Sequence, residues 1–266
     1  MFDVMKGKTV TTSYEFTNDT HAISFPYAMP EGPILPINQF VIRGSEKNIM
    51  LDTGPLLNAE GTIAALSSVM NPQDLDYIFL THMDLDHVGG LHEILKLAPK
   101  ARVVGNMTVM GKGLSMYNIP PHRFAAVFPG QEINLGNHVL RVEESLLEDG
   151  HTSWLFDKTT RTFFTSDGFG SLQFGQVPQY AEMVDSNAYA QGFAMWQHMN
   201  FHMLPRLDMS QFRGIINYMR SLDVRQIASV HGPIVRESVQ GIFDLMEDVP
   251  GAELPPHPEL PAIFHL

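Results

Sequence analysis

The stretch "THMDLDHVGGL", residues 81–91, concentrates metal-binding side chains within six residues, namely His82, Asp84, Asp86 and His87. Alternate residues of an extended segment share a side, and a tight turn would bring His87 back towards the others. Carboxylates held this close repel one another unless a cation lies between them. The spacing therefore predicts a metal site. Because the chain has no cysteine, its ligands must be nitrogen and oxygen atoms.

Four ligands suffice for one metal ion, so ligands for a second ion must come from other strand ends. Three residues are well placed: His151 in "EDGHTS", Asp167 in "FFTSDGFGS" and His231 in "IASVHGPIVR". Each adjoins an apolar, strand-like run and a glycine, which permits close backbone approach. A lone histidine or aspartate at a strand end is more often a cap or a hydrogen-bonded structural residue. The three residues are therefore candidate ligands only because the six-residue cluster already predicts a metal site.

The cluster resembles the HxHxDH signature of the metallo-β-lactamase superfamily, and the later order His, Asp, His matches that family's remaining ligands. The resemblance covers Pro36 to Glu237 and implies an α/β fold, a four-layer αβ/βα sandwich with a dinuclear metal site at one edge. It assigns His82, His151 and Asp167 to a first metal, with Asp84 in the variable slot, and Asp86, His87, His231 and the shared Asp167 to a second. Asp52 of "LDTG" would orient a histidine ligand from behind.

The aspartate at position 84 indicates a resemblance to one branch of this superfamily. Zinc-type members usually carry histidine in that slot, whereas the flavodiiron proteins carry a carboxylate, HxExDH. The stretches "FFTSDGFGS" and "VHGPIVR" also resemble flavodiiron sequences. A third carboxylate adds negative charge and hard oxygen character, which favours iron or manganese. The resemblance thus implies two metal ions, with iron favoured and zinc or manganese as alternatives. HxDxDH also occurs among hydrolases of the superfamily.

Three functions stay open. A di-iron oxidoreductase or oxygen sensor would bind or reduce oxygen or nitric oxide, with electrons from an external donor because we expect no built-in flavin domain. A zinc or manganese hydrolase would cleave an ester, lactone or thioester, with a bridging hydroxide as nucleophile and Asp86 as an alternative base. A non-catalytic binding module is the third. His202 in "WQHMNFHMLP" is a further catalytic candidate, as a hydrogen-bond donor to a ligand at the metals, although packing of this segment is the competing interpretation.

The composition of the chain argues against some classes of binding partner. The formal net charge is −12 and the basic residues are not clustered, which argues against a nucleic-acid partner. We find no signal peptide and no apolar stretch long enough to span a membrane, so we expect a cytoplasmic protein without a membrane partner. A small-molecule ligand or substrate is expected, and the resemblance implies a homodimer.

The predicted elements place the polar clusters at strand ends. The segment "NQFVIRGSEKNIMLDTG" predicts a hairpin ending at Asp52, followed by a helix from a cap at Asn58 to about Met70. "DYIFL" predicts a buried strand that delivers the motif, and "LHEILKL" a helix after it. Further strands are predicted at 102–105, 139–145, 153–157, 161–166 and 226–230, and further helices at about 209–222 and 235–247. We expect a metallo-β-lactamase-like domain over 1–249 and an extended, proline-rich tail over 250–266.

Overall fold

A computed structural model describes residues 10–29, 32–145, 147 and 151–252. The strands within these residues are β1 Thr12–Thr17, β2 Thr20–Ala28, β3 Ile34–Arg43, β4 Asn48–Leu51, β5 Tyr77–Phe79, β6 Arg102–Gly105, β7 Phe124–Ala126, β8 Glu132–Asn134, β9 Val139–Glu144, β10 Ser153–Asp157, β11 Thr162–Phe164 and β12 Gln226–Ala228. The α-helices are α1 Ala59–Val69, α2 Leu85–Val88, α3 Leu91–Leu97, α4 Met107–Met116, α5 Ser186–Asn200, α6 Met209–Ser221 and α7 Val239–Asp248.

The strands form two sheets. The first has seven strands in the order β1 to β7, antiparallel from β1 to β4 and parallel from β4 to β7. The second has five strands in the order β12-β11-β10-β9-β8, in which β11 and β12 are parallel and the other pairs antiparallel. Both sheets thus contain a parallel pair whose carboxyl ends lie at one edge, where loops commonly build ligand sites.

Alternation of side chains along the strands creates four layers. In β4, Ile49 and Leu51 pack into the core between the two sheets, whereas Met50 packs against α1 and α3. In β10, Leu155 enters the same central core, and Trp154 packs with α5, α6 and α7 on the outer side. Each sheet is therefore apolar on both faces, and each covers its outer face with helices. The expected αβ/βα sandwich is confirmed.

This topology brings the loops that carry the predicted metal ligands to one edge of the sandwich. Asp52 comes directly after β4, the motif follows β5, Asp167 follows β11 and His231 follows β12. His151 precedes β10, which runs antiparallel to β11, so the start of β10 lies at the edge where β11 ends. The two sheets are joined there by the Ser153 N–H, which donates to the Thr81 carbonyl at 2.9 Å.

Several elements differ from the sequence expectations. Helix α4 was not predicted from the sequence. A Cβ on its Gly113 would lie 2.4 Å from the Phe124 ring, so glycine permits the helix to pack closely against this ring. Helix α5 was not predicted from the sequence either. Asn58 does precede α1, but its side chain contacts Thr11 and Thr62 instead of capping the backbone.

The carboxyl end also differs in part. Pro250 and Gly251, expected to be extended, belong to a 3-10 helix Val249–Gly251, where Pro250 lies in the first turn and the N–H that it lacks would have had no partner within the helix. The rest of the predicted tail, residues 253–266, lies outside the described residues. Among the residues that the structure describes, no helix is both long and apolar enough to span a bilayer.

Candidate metal centre

The motif leaves the end of β5 and closes into the single turn of α2. The Thr53 N–H donates to the His87 carbonyl at 2.7 Å, which ties the turn to the segment after β4. A Cβ on Gly89 would lie 2.3 Å from the Leu56 nitrogen, and one on Gly90 would lie 2.4 Å from the Thr53 oxygen. The glycine pair therefore permits a backbone contact that any side chain would block.

Asp52 is a buried anchor behind the motif. Its carboxylate accepts the Thr81 N–H at 2.9 Å and the Thr81 hydroxyl at 2.8 Å, and its Oδ2 lies 2.8 Å from His87 Nδ1. Asp52 has φ +57, a left-handed conformation that an aspartate adopts more readily than most residues. The contact with Nδ1 directs Nε2 of His87 away from Asp52, as expected for an orienting carboxylate.

The loop after β11 presents Asp167 in a constrained turn. Ser166 has φ +51 and Phe169 has φ +62, so the backbone is left-handed on both sides of the aspartate. Helix α5 holds the loop: the Trp196 indole N–H donates to the Asp167 carbonyl at 2.8 Å, and the Asn200 amide donates to Asp167 Oδ2 at 3.1 Å. Helix α5 thus engages Oδ2 of Asp167, whereas Oδ1 faces His87 and His231.

His231 is fixed in the same manner from the first sheet. Its Nδ1 lies 3.0 Å from the Pro36 carbonyl, to which it donates, so Nε2 is the available donor atom. Asn38, which is buried, donates to the Ser229 carbonyl at 3.0 Å and the Gly232 carbonyl at 2.7 Å. The loop that carries His231 is therefore clamped on both sides of the histidine.

The side chains converge on a point that we call the inner position, defined by Asp86, His87, His231 and Oδ1 of Asp167. Asp167 Oδ1 lies 2.8 Å from His87 Nε2 and 3.3 Å from His231 Nε2, and Asp86 Oδ2 lies 3.3 Å from His231 Nε2. Asp86, His87 and His231 each offer a ligand atom within 4.8 Å of the others.

The inner position fits a metal ion. His87 Nε2, His231 Nε2 and Asp167 Oδ1 are buried, and none has an aligned hydrogen-bond partner among the described residues. Leaving buried polar atoms unsatisfied costs free energy, and such atoms in a native fold call for an explanation. A cation bound by all three would satisfy them at once. Imidazole nitrogen and carboxylate oxygen suit zinc, iron or manganese.

The outer position is defined by His82, Asp84, His151 and Oδ2 of Asp167, and it is looser. His82, His87 and Asp167 form the second group of ligand atoms lying within 4.8 Å of one another. His82 Nε2 lies 3.7 Å from Asp84 Oδ2 and 3.8 Å from Asp167 Oδ2. Asp84 and His151 are exposed, and neither belongs to a converging group among the described residues.

The electrostatics of the centre favour positive charge between the carboxylates. Burial disfavours the charged imidazole of His231, but Asp167 and Asp86 outweigh it and raise the pKa to about 9. Burial likewise opposes protonation of His87, yet the charges of Asp167 and Asp52 raise its pKa well above the ordinary value. Burial would raise the pKa of Asp167, but the two histidines hold it well below its usual range.

A cavity of about 320 Å³ opens onto the outer position. Its lining includes the metal-ligand candidates His82, Asp84, His151 and Asp167, together with Lys112, Asn200, Phe201 and His202. His202 therefore faces the same cavity as the outer ligands, on the segment that follows α5, and it is exposed. Of the seven predicted ligands, Asp86, His87, His231, His82 and Asp167 are brought together, while Asp84 and His151 stand at the rim.

Sequence reasoning missed the residues that hold the ligands. Asn200 lies two positions before His202 and contacts Asp167, but an isolated asparagine carries no spacing signal. Asn38 supports His231 across 193 residues of chain, a separation that no local pattern encodes. Trp196 begins the segment "WQHMNFHMLP" and has no spacing signal of its own, yet its ring packs on His231 with centroids 4.5 Å apart. These contacts emerge only once the two sheets are packed together.

Comparison with known proteins gives a family match. The model of the family described as "ODP family beta lactamase" matches residues 35–232. The chain is 28 % identical over 239 residues to the putative diflavin flavoprotein A 1 of Thermosynechococcus vestitus, covering 89 % of this chain and 40 % of the relative. It is 23 % identical over 210 residues to the anaerobic nitric oxide reductase flavorubredoxin of Salmonella arizonae, covering 78 % and 43 %. The chain thus spans less than half the length of these relatives.

A solved structure gives the same architecture. A variant of the flavo di-iron protein of Thermotoga maritima superposes with a TM-score of 0.79 at 15 % identity, over 91 % of this chain and 62 % of that one. At this level of identity the match supports the fold alone.

Proposed function

We propose that this chain, which belongs to the ODP family of β-lactamase-fold proteins, uses a di-iron centre to bind or reduce oxygen or nitric oxide. The similarity to a nitric oxide reductase flavorubredoxin and to flavo di-iron proteins supports this assignment. The electron donor is proposed to be an external protein or small reductant. The chain is proposed to act as a homodimer.

One observation carries the choice of iron. Three carboxylates, from Asp84, Asp86 and Asp167, lie among four histidines at one edge of the sandwich. They offset most of the charge of two divalent ions, which favours a centre that tolerates further oxidation. A hydrolytic centre instead needs uncompensated positive charge to acidify water. When bound, iron would supply one-electron chemistry towards a diatomic ligand.

The protein side chains have separable roles in this proposal. Asp52 and the Pro36 carbonyl fix His87 and His231 in the tautomers that present Nε2, so these ligands need no reorientation. Asp167 offers one oxygen to each metal position. Phe201 and Met203 give the cavity an apolar wall, which suits an uncharged diatomic molecule. His202 lines the cavity as a proposed hydrogen-bond donor to the bound ligand.

The test is the colour of the protein. Protein produced in iron-rich medium should show the visible absorption of a ferric centre, bleach when reduced without oxygen, and recover when oxygen is added. The His231→Ala variant should lose most of this absorption, because it removes a buried ligand, while an exposed change such as His122→Ala should retain it. A colourless wild-type protein that carries zinc and cleaves a simple lactone or thioester would overturn the di-iron proposal.

One feature favours the hydrolase as a second candidate. The cavity of about 320 Å³ is much larger than a diatomic molecule needs, given that one water takes up roughly 30 Å³. It would admit an ester or lactone, with Lys112 at its wall to attract an anionic group. In that case the metals would polarise the carbonyl, and Asp86 is proposed as the base.

A further inference from the structure

The two metal positions differ in burial. At the inner position the side chains of His87 and His231 are 0 % and 1 % exposed, and that of Asp86 is 35 % exposed. At the outer position the side chain of His82 is 10 % exposed, but that of Asp84 is 73 % exposed. Electrostatic attraction between a cation and its ligands is weakened where water competes. A cation should therefore be attracted more strongly to the ligands of the inner position.

The two positions also differ in preorganisation. His87 is held through Nδ1 by Asp52 at 2.8 Å, and His231 through Nδ1 by the Pro36 carbonyl at 3.0 Å. Their Nε2 atoms already point at Asp167 Oδ1. At the outer position, Asp84 and His151 are exposed, and His151 Nδ1 contacts the Thr108 hydroxyl at 3.1 Å. Ordering two exposed side chains costs conformational entropy that the inner ligands have already lost during folding.

The shared carboxylate adds a third asymmetry. Asp167 Oδ1, which faces His87 and His231, is buried and has no aligned hydrogen-bond partner among the described residues. Asp167 Oδ2, which lies 3.8 Å from His82 Nε2, already accepts the amide of Asn200 at 3.1 Å. An oxygen whose lone pair is engaged by a donor is a weaker ligand than one that is free. The inner position is thus favoured by the bridging residue as well.

We propose that the chain loads its two metals in a fixed order, the inner position first and the outer position second with weaker affinity. This rests on the proposed two-metal centre. The chain would therefore have a one-metal form when metal is limiting, with the inner ligands satisfied and the cavity-facing position still open. Because the outer position borders the cavity, metal supply would decide whether the site that meets the substrate is complete.

The order can be measured by titrating metal-stripped protein with Co(II), using calorimetry and the visible absorption of bound cobalt. Two binding steps are expected, with dissociation constants that differ by about tenfold or more, the scale on which ligand environment alters metal affinity. Removing the outer ligands in an Asp84→Ala/His151→Ala variant should abolish the second step and leave the affinity of the first within about threefold of wild type.

Removing an inner ligand provides the matched comparison. His231→Ala should weaken the first step by about tenfold or more, because it removes a preorganised donor, and circular dichroism of the metal-free variants would verify that both are folded. Two steps of equal affinity in the wild type would overturn the fixed order. The fixed order would also be overturned if Asp84→Ala/His151→Ala lost the tight binding step while His231→Ala kept it. Absence of any cobalt binding would instead contradict the proposed two-metal function.

Discussion

In the proposed di-iron centre, the preference for iron depends on the side chain of Asp84. Its side chain is 73 % exposed, and its Oδ2 lies 3.7 Å from His82 Nε2. The contact with His82 lowers the pKa of Asp84, and partial burial raises it by a smaller amount. The pKa therefore lies below its usual range. The group is therefore ionised at neutral pH, within reach of a metal at the outer position.

We expect the Asp84→His variant to shift metal selection from iron towards zinc, because imidazole suits zinc and its introduction removes one negative charge. The shift should be about tenfold or more in the ratio of bound iron to bound zinc. Elemental analysis of protein expressed with both metals supplied would measure it. Leu85→His, which adds an imidazole one residue away on an exposed side chain, is the matched control. An unchanged ratio in Asp84→His would show that residue 84 does not bind metal.

The sequence predicted the candidate metal-binding side chains better than it predicted the residues that hold them in place. The spacing of His82, Asp86 and His87 is itself the chemical signal, so these ligands could be read from the sequence. Asn200 and Asn38 act by hydrogen bonds across long separations, and a single asparagine looks the same whether it is buried or exposed. Their roles depend on packing between layers, which no local pattern records.

At the scale of elements, strands were predicted where apolar runs are bounded by turns, as in β5 and β10. Helix α5 was not, because "SNAYAQGFAMWQHMN" mixes small, polar and aromatic residues without a clear apolar stripe. A Cβ on its Gly192 would lie 2.0 Å from the Leu172 carbonyl oxygen, so the glycine that weakens the helix signal permits the helix to approach the loop beyond Asp167. Tertiary packing overrides intrinsic propensity there.

The hairpin of β9 and β10 is stabilised by a buried pair. Asp157 accepts hydrogen bonds from the Thr160 hydroxyl at 2.7 Å and the Thr159 N–H at 2.9 Å, and its Oδ2 lies 2.8 Å from His138 Nδ1. Burial would raise the pKa of Asp157, but these contacts outweigh it and lower the pKa. A lowered pKa stabilises the fold above the unfolded-state value near 3.9, and this contribution is lost as the pH falls through the folded-state pKa.

Asp157→Asn should therefore lower the free energy of unfolding by on the order of 2 kcal/mol at pH 6, the scale for hydrogen bonds to a buried charge. The difference from wild type should shrink as the pH falls below about 4, where the unfolded chain protonates this carboxyl, and it should disappear below the lowered pKa of the folded state, where the wild-type carboxyl also becomes neutral. Urea unfolding across this pH range would measure both effects. Glu132→Gln, which breaks an exposed pair with Lys158, should change stability little at either pH. A loss that is constant with pH would contradict the assigned cause.

On the scale of the whole molecule, metal binding is linked to folding. The ligand set forms only when both sheets are in place, so the unfolded chain should bind metal far more weakly than the folded one. A ligand that binds only the folded state at about 100 times its dissociation constant contributes about 2.7 kcal/mol. For a chain of this size that corresponds to a rise in melting temperature of about 5–10 °C.

Thermal unfolding with saturating metal and with a chelator would measure this rise. Asp167→Ala should abolish most of it, since the residue offers an oxygen to both positions, while Asp223→Ala, at an exposed site, should retain it. If Asp167→Ala kept both the full rise and the full metal content, Asp167 would not be the shared ligand.

The seven predicted ligands are divided between the two sheets: His82, Asp84, Asp86 and His87 follow β5 of the first, while His151, Asp167 and His231 border strands of the second. A chain without cysteine has no disulfide to join such distant segments, and bound metal would take that place by closing long loops. Newly made chains that bind no metal would then open more often and be cleaved sooner by cellular proteases. The lifetime of the protein would then depend on the supply of its metal.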